Sequence, residues 1–255
     1  MNPILRKELR SLLRERRGWL VPGIYGALLS GMVYLSGVRT DGFVDPTSFG
    51  SSSAGMVAGM QALAVSLIAP ILGAAAISSE RERGTWTRLL GAPIARWQIA
   101  AGKVGATVVY VVLMLLVSLP VASLAVLFGG MDLATLTGLY AAHLFLGVAL
   151  GCLGLAISTA FHRTWVASVV ALAAAAALVA LGGLSPLAFT FAPGERSASV
   201  DVLRSVSPTF GTELFFTGDQ LEDCRRLWAM HFGALLSIAA ASIAFVLARV
   251  RSMVD

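Results

Sequence analysis

Residues 104–128 read VGATVVYVVLMLLVSLPVASLAVLF, twenty-five positions without one charged side chain. A helix crosses the hydrocarbon core of a bilayer with about 20 apolar residues at roughly 1.5 Å each. A membrane-spanning β-strand would alternate apolar and polar residues over about ten positions. This run is continuous and too long for that, so it reads as a spanning helix. In lipid the backbone must satisfy its own hydrogen bonds, which favours the same choice.

Five more runs of this kind flank it. They cover residues 19–38, 56–77, 134–160, 165–191 and 227–248. The whole chain agrees: 57% of its 255 residues are hydrophobic, 13% are charged, and mean hydropathy is +0.81. A soluble domain carries about 25% charged residues. The expected fold is therefore an all-α integral membrane protein of six spans, forming one transmembrane domain over residues 1–255. Trp19, Trp165 and Trp228 mark span ends, where interfacial aromatics belong. Pro70 and Pro120 fall inside spans and predict kinks. Gly55-x-x-x-Gly59 and Gly147-x-x-x-Gly151 place paired glycines on single helix faces, suited first to packing within the chain and second to a contact with another copy. The alanine run at 173–177 makes a thin helix segment that packs closely or borders a cavity.

The formal charge of +5 comes from 19 Lys and Arg against 14 Asp and Glu. These charges sit between the apolar runs, so they report membrane orientation and not nucleic-acid binding. With six spans, one side holds 14 of the basic residues and the other five. The basic side is cytoplasmic by the positive-inside rule, which places both termini in the cytoplasm. The opening residues lack the small-residue site of a cleaved signal. Cys152 and Cys224 lie at different depths, which argues against a disulfide.

Residues 1–18 predict an amphipathic helix. Asn2 suits its cap and Pro3 its first turn. At 100° per residue Arg6, Lys7, Arg10, Arg14 and Arg17 share one face, and Leu5, Leu9, Leu12 and Leu13 another. Such a helix lies flat on the membrane, as a topology anchor or as a surface that also meets a cytoplasmic partner.

Residues 78–103, SSERERGTWTRLLGAPIARWQIAAGK, form the longest charged interruption between spans on the basic side. Ser79 and Glu82 have the S-x-x-E spacing of a capping box, which predicts a helix start at Ser79. Gly84 would interrupt it. Thr85 would cap a short helix bearing Trp86, Leu89 and Leu90, and Gly91 and Pro93 would turn the chain into the next span. The expected product is a helical elbow with an exposed apolar patch at Trp86, Leu89 and Leu90, a docking surface. The plainer reading is a loop on lipid head groups, with Lys103 snorkelling to the interface.

Glu80-Arg81-Glu82-Arg83-Gly84-Thr85, then Leu89-Leu90, Pro93 and Gly102-Lys103, resembles the signature of ATP-binding-cassette permeases of the type-2 exporter class. The basic first helix, the six spans and Ser207-Pro208 before the last span fit as well. The resemblance implies a coupling helix at the elbow, with Glu80, Glu82, Gly84, Thr85, Trp86, Leu89, Leu90 and Pro93 meeting a nucleotide-binding ATPase subunit. It implies an interface helix carrying Arg6, Arg10, Arg14 and Arg17, a second permease copy or homologue, and residence in the plasma (inner) membrane. Trp86 departs from the aliphatic residue of many relatives. ATP and Mg would be bound by the ATPase subunit, since this chain has no phosphate cradle. Its one Gly-Lys pair, Gly102-Lys103, is followed by Val104, and Trp97 stands where the cradle needs Gly.

Other functions find less support. The spans hold His143 and Gln61 as their main polar residues, whereas a proton-coupled carrier needs embedded carboxylates. His143 reads as a hydrogen-bonded packing residue. The three histidines share no metal-ligand spacing, and Ser36-Gly37 has no nucleophile motif around it. A non-transporting membrane scaffold or assembly subunit shares the topology and remains the alternative. The apolar spans favour a lipid-like or amphipathic cargo. Residues 192–226 make an outer loop, with short helices expected at 200–206 and 213–216 and, from the resemblance, partial re-entry into the membrane. A structural cap is favoured there over a substrate gate.

Overall fold

The computed structural model describes residues 3–14, 16–37, 45–91, 95–183, 198–217 and 224–252. Among these, all regular structure is helical. In chain order the helices are α1 (Pro3–Arg14), α2 (Arg16–Gly37), α3 (Pro46–Glu82), α4 (Trp86–Leu90), α5 (Arg96–Leu127), α6 (Leu133–Ser158), α7 (Thr164–Gly183), α8 (Ala198–Val206), α9 (Phe210–Thr217) and α10 (Cys224–Ser252). Six of them, α2, α3, α5, α6, α7 and α10, are long and apolar enough to cross a membrane. The expected spans are all present. Pro70 and Pro120 lie inside α3 and α5 as anticipated, and α8 and α9 cover the two short helices expected within residues 192–226. The stretch 184–197, Pro93 and Asn2 lie outside the described residues.

The bundle is built around α3, which packs on α6, α7 and α5. Small residues set the closest of these contacts. A Cβ at Gly73 would collide with the Gly151 carbonyl, and one at Gly154 with the Pro70 carbonyl. The α3–α6 seam is therefore backbone against backbone, the geometry that glycine permits between membrane helices. Gly147 and Gly151 also face inward, because a Cβ there would meet Val111 and Thr107 of α5 at 2.7 and 2.6 Å. That pair packs within the chain. Gly55 and Gly59 have nothing within 4 Å. In the alanine-rich span α7, Ala167 and Ala171 pack on Ala74 of α3.

At the end away from the elbow, Asp45 and Asp132 cap α3 and α6 by accepting from the Ser48 and Thr135 N–H groups at 3.3 and 3.1 Å. The Asp132 carboxyl is held below its usual value, first by the Thr135 hydroxyl and then by its N–H. Trp19 and Trp165 are exposed, as interfacial anchors should be, and so is Trp97. Trp228 differs from expectation. It is half-buried and stacks on Phe232 with ring centroids 5.4 Å apart, so its apolar face meets other rings and not lipid alone.

His143 is buried, and its Nδ1 lies 2.8 Å from the Leu139 carbonyl, the packing role read from the sequence. Nearby, His231 Nδ1 lies 2.8 Å from the Ser205 carbonyl, tying α10 to α8. Phe210, Phe215, Trp228 and Phe232 complete a ring cluster with His231. In mid-bundle Ser118 joins α5 to Gln61 of α3 at 3.1 Å and to Tyr140 of α6 at 2.9 Å.

Candidate functional site

The segment Glu80-Arg81-Glu82-Arg83-Gly84-Thr85 closes a helix and does not open one. Ser79 and Glu82 both lie inside α3, which runs on to Glu82. Gly84 has φ +67°. Its N–H donates to the Arg81 carbonyl at 3.1 Å, and the Thr85 N–H donates to the Glu80 carbonyl at 2.9 Å. This pair of bonds with a left-handed glycine is a Schellman stop. The S-x-x-E spacing is a capping box only when a helix begins there, and the continuous apolar face of α3 carries the helix through it. Glu82 caps a different helix: the Thr164 N–H at the start of α7 donates to its Oε2 at 3.0 Å.

Consecutive residues on a helix point about 100° apart. The last turn of α3 uses this to reach three directions at once. Glu80 accepts from Lys7 of α1 at 2.8 Å and lies 3.6 Å from Lys103 of α5. Arg81 donates to the Thr159 carbonyl, at the C-terminus of α6, over 2.7 Å. That is where a helix dipole favours a cation. Glu82 takes the N-terminus of α7, where the dipole favours an anion. One helical turn thus touches four other helices through charge.

Lys103 is the deepest of these charges. It is 2% exposed, and its ammonium donates to Glu8 at 3.0 Å and to the Ala76 carbonyl. It does not snorkel. Gly102 beside it explains how α1 comes so near, because a Cβ there would stand 2.8 Å from Ile4. The Gly-Lys pair therefore does two jobs: the glycine admits α1, and the lysine binds it through Glu8. Buried pairs hold strongly only when each partner stays, since an orphaned charge in low dielectric is expensive.

Trp86 is buried at 6% exposure, against the sequence expectation of an exposed patch. It belongs to one buried cluster with Ile4, Ile77, Ile99, Leu155 and Val246, drawn from five helices. Leu89 is half-buried against the same cluster. The elbow folds back onto the bundle because these apolar partners, remote in sequence, meet beneath it. Thr85 stands at the N-cap of α4, but its hydroxyl bonds Glu80 Oε2 at 3.0 Å and does not cap. The face that α4 leaves open carries Arg83, Gly84, Thr87 and Arg88. Arg6, Arg10 and Arg14 of α1 are exposed as well. Pro93 and the side chains of Leu90 and Arg17 are outside the described residues.

Six spans, an amphipathic helix docked on them and a charged elbow at one end define a multi-pass helical membrane protein. Residues 2–247 match the family described as ABC-2 family transporter protein, so the chain belongs to that family and is a membrane permease component of an ABC transporter. No curated protein matches the chain.

Proposed function

We propose that this permease moves its substrate with energy from ATP hydrolysed by a separate nucleotide-binding subunit, which seats on the elbow. ATP and Mg are bound by that subunit. A second copy or a homologue completes the path, in the exporter arrangement. The chain sits in the plasma (inner) membrane with both termini and the elbow in the cytoplasm, as the 14 basic residues on that side favour.

One observation carries the proposal: Glu80, Arg81 and Glu82 tie the end of α3 to α1, α5, α6 and α7. A force on α4 acts through the Schellman turn and Trp86 on a rigid node, and so reaches most of the spans together. Glu80, Glu82, Gly84, Thr85, Trp86 and Leu89 hold and shape the elbow. Leu90 and Pro93 complete the proposed docking segment, while Thr87 and Arg88 offer the contact itself. Arg6, Arg10 and Arg14 add positive charge along the interface helix α1, whereas Arg17, expected on the same helix, falls in α2.

Copurification from detergent tests the reading. Arg88→Glu with Thr87→Glu, both on the exposed face, should abolish association with the ATPase subunit and stop ATP-dependent transport in vesicles. Unchanged association and transport in the double variant would refute it, and transport collapsed by an ionophore without need of ATP would assign the energy to an ion gradient.

A further inference from the structure

Beneath the elbow lies a chamber of about 520 Å³ walled by α1, α3 and α5, with Thr164 of α7 at its edge. Its lining changes character along its length. Lys7 and Arg83, both exposed, stand at the elbow end. Ser79, Thr85 and the buried Lys103 follow. Leu12, Leu72 and Ala106 line the far side. From Arg83 to Leu72 the wall of α3 descends about 16 Å at 1.5 Å per residue. Three cations (Lys7, Arg83, Lys103) face two carboxylates (Glu8, Glu80), so the lining carries a net charge of three minus two, or +1. The Arg83 guanidinium makes no hydrogen bond among the described residues, and Lys7 keeps protons beyond the one it gives Glu80.

We infer that this chamber binds a phospholipid of the adjacent leaflet, with its phosphate between Lys7 and Arg83 and the start of an acyl chain along Leu72 and Ala106. A cationic mouth with hydroxyls takes a phosphate through charge-assisted hydrogen bonds. The apolar depth suits a chain and gives nothing to a free anion. The amphipathic α1, whose leucine and arginine faces suit the level of lipid head groups, forms one wall of the cavity. The occupant would sit against Glu80 and Lys103 and steady the node they form. The inference concerns binding alone and does not depend on which protein docks at the elbow.

The test uses the full chain in maltoside micelles, with no ATPase subunit present, and a phosphatidylglycerol carrying a photoreactive acyl chain. Crosslinks should map to residues 72–83 and 103–110. Ala106→Phe, which fills the apolar depth, should remove them in protein that keeps its elution volume and unfolding temperature. Lys7→Gln, at an exposed position that folding tolerates, should weaken labelling about fivefold, the effect of one basic residue on an anionic lipid. A diacylglycerol with the same photoreactive chain should not label these segments. Labelling unchanged in both Ala106→Phe and Lys7→Gln, equal labelling by diacylglycerol, or displacement by inorganic phosphate, the mark of a soluble-anion site, would each overturn the inference.

Discussion

The two ends of the bundle are held by different balances of charge and close packing. At the elbow end, Lys7, Glu8, Glu80, Arg81, Glu82 and Lys103 join α1, α3, α5, α6 and α7 by ion pairs and charged hydrogen bonds. At the far end, Gly50 and Gly130 meet backbone to backbone, and rings of α9 and α10 pack edge to face, with the Arg204–Glu213 ion pair linking α8 to α9. Charge reaches further than dispersion and can be remade after a displacement, whereas close-packed contacts forfeit about a quarter to a half of their attraction over a gap of 0.5–1 Å. The elbow end is built to receive and share a load. The far end is held mainly by close packing.

Substitutions at the two ends should separate these roles. Trp86→Ala should do most, costing about 3–5 kcal/mol because it empties the site where five helices meet. Its unfolding midpoint in detergent should fall furthest of the set, and an effect under about 1 kcal/mol would show that the ring is not a shared core. Lys103→Met comes next, at about 3 kcal/mol, since it takes the ion pair from Glu8 and leaves the buried Glu80 to Lys7 alone. Adding Glu80→Gln should restore part of that loss, and a double variant less stable than Lys103→Met would deny the pairing. Gly130→Ala at the far end should cost about 1–3 kcal/mol by forcing a Cβ against Gly50. That cost should not change with salt, because no charge is involved. Lys7→Gln should be smallest, below about 1 kcal/mol, because Lys7 is 61% exposed in its side chain. Its difference from the parent should vanish in high salt, as that of Gly130→Ala should not.

How much of this the sequence shows depends on how local the cause is. The six spans are legible because an uncharged run of twenty or more residues decides its own fate in lipid. The role of His143 is legible for a related reason: a lone imidazole on an apolar face has to find a backbone partner. The charged turn is not legible in the same way. Ser79-x-x-Glu82 has the spacing of a helix start, yet the stop signal is Gly84, and only the left-handed φ there tells which reading applies. Glu82 finds its N-terminus 82 positions away, at Thr164. Lys103 reads as an interfacial anchor from its place at a span edge, and only the packing of α1 over Gly102 shows it covered. Trp86 reads as a docking side chain for the same reason, since its cover comes from Ile4 and Val246 at the two ends of the chain. The charge pattern of the turn was itself a signal: alternating Glu and Arg on the last turn of a long apolar helix implies several partners, one per direction.

The central claim is that the elbow's open face takes force from an ATP-binding subunit. The most direct measurement is a crosslink from Arg88→Cys, in a chain whose Cys152 and Cys224 are replaced by Ala, within the complex isolated from its own membrane. The account predicts a crosslink to a polypeptide bearing a phosphate-binding loop, at a yield that changes when ATP is added. Reaction of the same cysteine with a membrane-impermeant maleimide applied to the outside of intact cells would contradict it.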